Sequence, residues 1–229
     1  MFLYISIPSP FDIFRYSICM NKSNELVILL HGLGLSSFTL RYIELGLARQ
    51  GYETCNIDYP SREYGIESLI AIVLKVLDEH DISSYEKVHI VGHSLGGIIA
   101  RYLALTMPEK IEKCIALGSP NNGSSLAQWL SQFYLIRRYF GPALYDLLPS
   151  SSFLSRLVSL PDEYHVIVGT RSKWTFFGWF FEERSDGTVS VSEVVPEYID
   201  MKDVRYFDVS HASMLFSADV RKEIIEFLD

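Results

Sequence analysis

Cysteine is scarce in this chain of 229 residues, with three in all at positions 19, 55 and 114. Thiols so few and so scattered supply neither a disulfide framework nor a metal site. Basic residues are also in the minority, 20 against 28 acidic ones, for a net charge of −8. That balance lacks the electrostatic footprint of a nucleic-acid binder and offers anionic lipid no attraction. No apolar run approaches the ~18 residues of a membrane span, so no transmembrane segment is expected. Residues 1–20 are apolar and aromatic, but they lack a basic start and are interrupted by Pro8, Pro10 and Asp12. A secretory signal does not look like that, and a cytoplasmic location is expected. Repeats, low-complexity tracts and linkers are missing too.

What the chain does have is a hydrophobic content of 48% with 21% charged residues, enough for one globular domain over residues 1–229. Short apolar runs alternate with helical patterns, the signature of a mostly parallel sheet with helices on both faces. Strands are expected at Leu26–Leu30, Tyr52–Ile57, Lys87–Val91, Ile111–Leu117, His165–Gly169 and Val204–Val209, with edge strands at Phe2–Ile7 and Tyr16–Cys19. Helices are expected near Phe38–Gln50, over Ile66–Leu77, from Gly97 to Met107 and near Ala218–Leu228. Cys55 and Cys114 fall in strand-like runs and read as small core residues. Two segments break the alternation. Residues 124–160 read as two or three short amphipathic helices inserted after the 111–117 strand. Residues 174–181, Trp-Thr-Phe-Phe-Gly-Trp-Phe-Phe, are far more aromatic than the rest.

The chemistry is concentrated in Gly92-His93-Ser94-Leu95-Gly96, placed between an expected buried strand and an expected helix that stops at Pro108. The glycines make room where strand and helix approach, and the turn holds the Ser94 hydroxyl out into a cleft. A serine hydroxyl is a poor nucleophile near neutrality unless a base takes its proton, and histidine is the usual base. A carboxylate must then fix the imidazole tautomer. Only His165 and His211 lie downstream of Ser94. His165 opens a strand and so sits at the wrong end of the sheet. His211 follows the last strand, at the carboxyl edge where ligand chemistry gathers, and is the expected base. Asp186, beside Gly187 in Ser185-Asp186-Gly187-Thr188, is the best placed acid. Asp162 and Asp208 are poorly placed, and Asp203 stays open. The oxyanion of a tetrahedral intermediate needs two donors; the backbone N–H groups of Leu95 and of Leu33, in His31-Gly32-Leu33-Gly34, are the candidates. His31 reads as a structural hydrogen-bonding residue, and His93 as a packing residue.

These motifs together resemble bacterial lipases and esterases of the α/β-hydrolase superfamily, in particular small lipases with a His-Gly-x-Gly loop. The resemblance extends through Gly51-Tyr52, Asp58-Tyr59-Pro60-Ser61-Arg62, Gly118-Ser119-Pro120-Asn121-Asn122-Gly123-Ser124, and Asp186-Gly187-Thr188-Val189. It implies an α/β-hydrolase fold with a small helical lid at about 124–160, and ester hydrolysis through an acyl-serine without a cofactor. The partner is then a small acyl ester or lipid. The calcium site of some such lipases is not carried over, because no carboxylate cluster is evident. Whether the acyl acceptor is water or an alcohol, as in an acyltransferase with the same triad, is left open by these residues. A catalytically silent binding module of the same fold is the rival from another class. The Trp174–Phe181 segment has two readings: an apolar lip for transient lipid-surface contact, or a satellite core packed beneath the 124–160 helices.

Overall fold

The computed structural model describes residues 24–229 except Trp174 and Glu197. The strands expected near Phe2–Ile7 and Tyr16–Cys19 lie outside the described residues. Six strands, β1 (Glu25–Leu30), β2 (Glu53–Ile57), β3 (Lys87–His93), β4 (Ile111–Leu117), β5 (Tyr164–Gly169) and β6 (Val204–Phe207), form one sheet in the order β2-β1-β3-β4-β5-β6. Every pairing in it is parallel.

Why runs such as Leu26–Leu30 of β1 are apolar at every position follows from the layers. Successive strand residues face opposite sides, and both sides are covered. Leu26, Ile28, Leu30, Val88 and Ile90 enter one core, while Val27, Leu29 and Val91 enter the other. On the first side lie α2 (Ile66–Glu79) and α3 (Leu95–Thr106); on the second, α1 (Arg41–Gln50) and the C-terminal helix (Ala218–Leu228). The α2 stripe of Ile66, Leu69, Ile70, Val73 and Leu77 is buried at the three- and four-residue spacing of one helical face. Cys55 and Cys114 are buried free thiols.

The boundaries depart from expectation in instructive ways. The segment before α1 is a 3₁₀ turn, Ser37–Leu40, rather than part of the helix. Strand β3 runs on to His93 and α3 starts at Leu95, leaving Ser94 alone between them. Strand β6 stops at Phe207, two residues short of Val209. Between β4 and β5 come three short helices, α4 (Ser125–Leu130), α5 (Tyr134–Phe140) and α6 (Ala143–Asp146). The return from them is pinned by buried Arg101 on α3, which donates to the carbonyls of Leu157 and Ser159. A short α7 (Val191–Val194) follows β5, making the C-terminal helix α8. No helix among the described residues is long and apolar enough to cross a membrane.

Strand order reverses between β1 and β3, and a crevice opens outside the carboxyl ends of strands at such a switch. Leu30 at the end of β1 is in register with Gly92 of β3. The loop after β1 and the turn after β3 are therefore neighbours.

Candidate active site

Ser94 has φ 55° and ψ −120°, one of only two positive-φ non-glycine residues among those described. Holding a side-chain-bearing residue there costs of order 1–3 kcal/mol. The surroundings enforce it. The Ser94 N–H donates to Leu117 O at 2.9 Å, and its carbonyl accepts from Gly97 N at 3.0 Å. A Cβ on Gly92 would run into the carbonyl of Gly96, and one on Gly96 into that of Leu30. Strand and helix therefore touch backbone to backbone, with the serine at the apex.

Asp186 and His211 meet at the same edge. Asp186 is 1% exposed. Its Oδ1 accepts from the N–H groups of Thr188 (2.9 Å) and Val189 (2.8 Å), while Oδ2 lies 2.6 Å from His211 Nδ1. A carboxylate only accepts, so Nδ1 carries the proton and Nε2 is left as the basic nitrogen. The two backbones are joined as well, His211 N–H donating to Asp186 O at 3.0 Å. Behind the pair, Gly118 (φ 55°) leaves space that a Cβ would fill, 3.0 Å from Asp186 Oδ2 and 3.2 Å from His211 Nδ1.

Ser94 and His211 line one cavity of about 260 Å³. Among the described residues no hydrogen bond joins the two side chains in this conformation; such contacts are often long in ligand-free enzymes and tighten around the reacting group. Leu33 lines the same cavity, and neither the Leu33 nor the Leu95 N–H has a protein acceptor among the described residues. The remaining wall is apolar: Leu126, Ala127, Leu130, Phe140, Leu144 and Leu147 come from the 124–160 helices, and Val189, Leu215 and Phe216 from the other side.

His93 does more than pack. Its Nε2 donates to the His211 carbonyl at 3.0 Å, and the two rings lie 4.6 Å apart. Burial, reinforced by the nearby His211, holds the His93 imidazole well below the usual histidine range, so it is neutral. No periodicity of the sequence signals this role. His31 donates from Nδ1 to Gly32 O at 2.9 Å, accepts from Tyr59 N–H at 3.3 Å and stacks on the Tyr59 ring. Burial lowers its pKa as well. His165 is at the far end of the sheet, 2.9 Å from Glu223 and stacked on Phe227. Asp208 is paired with Arg171. The described residues contain no cluster of three His, Cys, Asp or Glu side chains suited to a metal.

The aromatic segment is partly packed and partly exposed. Phe177, Trp179 and Phe180 lie around Trp129 of α4, at ring-centroid distances of 6.4, 6.1 and 5.7 Å. Phe176 and Trp179 are 84% and 72% exposed. Trp174 lies outside the described residues.

The sequence model of the alpha/beta hydrolase fold family matches residues 25–145. The mouse protein named epoxide hydrolase 4 is 29% identical over 117 residues, covering 47% of this chain and 32% of the relative. Its human counterpart is 27% identical over the same length. The match thus spans about a third of the curated relatives' length. Among solved structures, the mature form of a Bacillus licheniformis lipase superposes with a TM-score of 0.66 at 19% identity, covering 88% of this chain and 90% of that one. The monoacylglycerol lipase of Paleococcus ferrophilus gives 0.61 at 19% identity, covering 89% and 93%. At such identities the superpositions show a shared fold.

Proposed function

The chain belongs to the α/β-hydrolase fold family, and we propose that it cleaves carboxylic esters through an acyl-serine intermediate. Ser94 Oγ attacks the ester carbonyl carbon and its proton passes to His211 Nε2. The Leu33 and Leu95 N–H groups receive the oxyanion. Collapse of the intermediate expels the alcohol, which takes the proton from His211, and water then releases the acyl group by the same path. The observation that supports this reading best is the Asp186–His211 contact of 2.6 Å, which, among the described residues, leaves Nε2 unpaired on a residue that lines the same cavity as a serine held on a strained turn.

The relatives named as epoxide hydrolases raise a second chemistry, but a serine at the turn suits it poorly. A serine that opened an epoxide would become an alkyl ether, with no carbonyl for water to attack. An acyl-serine turns over. The apolar wall from residues 124–160 suits an acyl chain, and exposed Phe176 and Trp179 suit transient contact with a lipid surface.

A fluorophosphonate probe should label Ser94 and fail on Ser94→Ala. On p-nitrophenyl esters from acetyl to palmitoyl, kcat/KM should rise about fourfold per methylene, equivalent to ~0.8 kcal/mol, until the cavity is full. Absence of labelling, or equal loss-free turnover by Ser94→Ala, refutes the proposal. Product analysis with a competing alcohol separates hydrolysis from acyl transfer.

A further inference from the structure

A second depression, about 400 Å³, lies against the first and shares Leu35 with it. Its wall includes Tyr59, Arg62, Glu63, Arg138 and Tyr139. It is built from the Tyr59-Pro60-Ser61-Arg62 stretch that the ester-cleaving chemistry leaves unused. The loop carrying Leu33 borders both spaces, with Leu33 in the wall of the first and Leu35 in the walls of both. On that loop, a Cβ at Gly34 would meet Phe140 Cε1, on the cavity side, at 3.4 Å and Arg62 Cδ, on the cleft side, at 3.9 Å. The loop is also tied to the cleft's own segment, Gly34 N–H donating to Ser61 Oγ at 3.0 Å.

The charge of this cleft runs against that of the chain. Among the described residues neither Arg62 nor Arg138 forms an ion pair with a carboxylate. Glu63 is the only acidic group in the wall, leaving two guanidinium groups against one carboxylate. Asp58, the nearest other acid in the sequence, accepts from the Ser37 N–H at 2.9 Å and lies 3.5 Å from His31 Nε2, and it is not part of the cleft wall. Arg62 sits 4.9 Å over the Tyr139 ring, a contact that orients its fork. Planar guanidinium groups without a carboxylate partner are suited to the oxygens of a phosphate or carboxylate.

We propose that this cleft receives an anionic group on the alcohol portion of the substrate, so that the preferred ester is an anionic amphiphile. The inference rests on the ester-hydrolase reading. The acyl chain fills the apolar cavity, the carbonyl sits at Ser94, and the alcohol portion passes over Leu35 to place its phosphate or carboxylate between Arg62 and Arg138.

The test compares three octanoyl esters on one enzyme preparation: of glycerol, of glycerol 3-phosphate and of glyceric acid. The readout is the ratio of kcat/KM for each anionic ester to that for the neutral one, which cancels any loss of folded protein. Arg62→Ala and Arg138→Ala should each lower the ratio about threefold and the double variant about tenfold, as exposed charge pairs do. Glu63→Gln should raise it. Both effects should fade at high salt as the Debye length shrinks to ~3 Å at 1 M. A fall confined to the phosphate ester, or to the glycerate ester, identifies which anion is recognised. A ratio unmoved in the double variant, with the neutral ester still turned over, overturns the inference and leaves ester hydrolysis standing. Failure of all three esters together with no probe on Ser94 removes both.

Discussion

Replacing Asp186 by asparagine is the sharpest test of the proposed proton path, because the local hydrogen bonds dictate which way the amide must face. Oδ1 accepts from two backbone N–H groups, Thr188 and Val189. An NH₂ group there would set donor against two donors, so the asparagine oxygen has to occupy that position. Its NH₂ then faces His211 Nδ1, which must become an acceptor, and the ring proton moves to Nε2. The nitrogen meant to take the serine proton already holds one. The same change in a serine protease lowers kcat by about 10⁴, equivalent to ~5.5 kcal/mol of barrier. The fold should survive, since the two N–H groups keep their acceptor. Asp186→Ala strands both, at ~1–3 kcal/mol each, and should melt lower as well as fail to turn over. Steady-state rates on a p-nitrophenyl ester and melting curves of both variants check this. If Asp186→Asn keeps more than about a tenth of the wild-type kcat, the tautomer argument is wrong.

Other expectations follow from the same packing. Gly118→Ala forces a side chain into φ 55° and presses a methyl against Asp186 Oδ2 and His211 Nδ1; kcat should fall about a hundredfold, the scale of a small misplacement, with KM nearly unchanged. Unaltered kcat would show that the pair tolerates displacement. Acid should destabilise the fold through His31 and His93, both held below the ordinary histidine range chiefly by burial. Their folded pKa values lie below the unfolded ones, so below about pH 6.5 the unfolded chain binds protons that the native state refuses. Each site then removes up to ~1.4 kcal/mol per pH unit, and nothing above that window. Urea midpoints at about pH 7.5 and about pH 5.5 read this out; the acid loss should be smaller in His93→Gln, and an equal loss would refute the assignment.

Much of this architecture is written in periodicity. Runs such as Leu26–Leu30 are apolar at every position because both faces of the sheet are covered, and that is visible without coordinates. The candidate nucleophile, acid and base were legible for a related reason: each follows a strand, and the ends of parallel strands on one edge converge. His93 was not legible. Its partner is the His211 carbonyl, 118 residues away, and which backbone atom faces a buried ring depends on the path of a distant loop. The starts of α1 and α3 were blurred because a tight turn and a helix share the same apolar spacing. The aromatic stretch could not be resolved by composition, since Trp179 both touches Trp129 and faces solvent while Phe176 is exposed beside Phe177. Nor could sequence show that Arg62 and Arg138 line one cleft, because α5 reaches Arg62 only through tertiary packing.

The walls of the cavity have two separate origins. Ser94 and His211 follow β3 and β6 and Asp186 packs against the ends of β4 and β5, whereas much of the surface facing them is supplied by the excursion between β4 and β5. Exchanging that excursion for another would alter which molecules are admitted while leaving the proposed serine, histidine and aspartate in place. Selectivity and reactivity can thus drift independently within one scaffold.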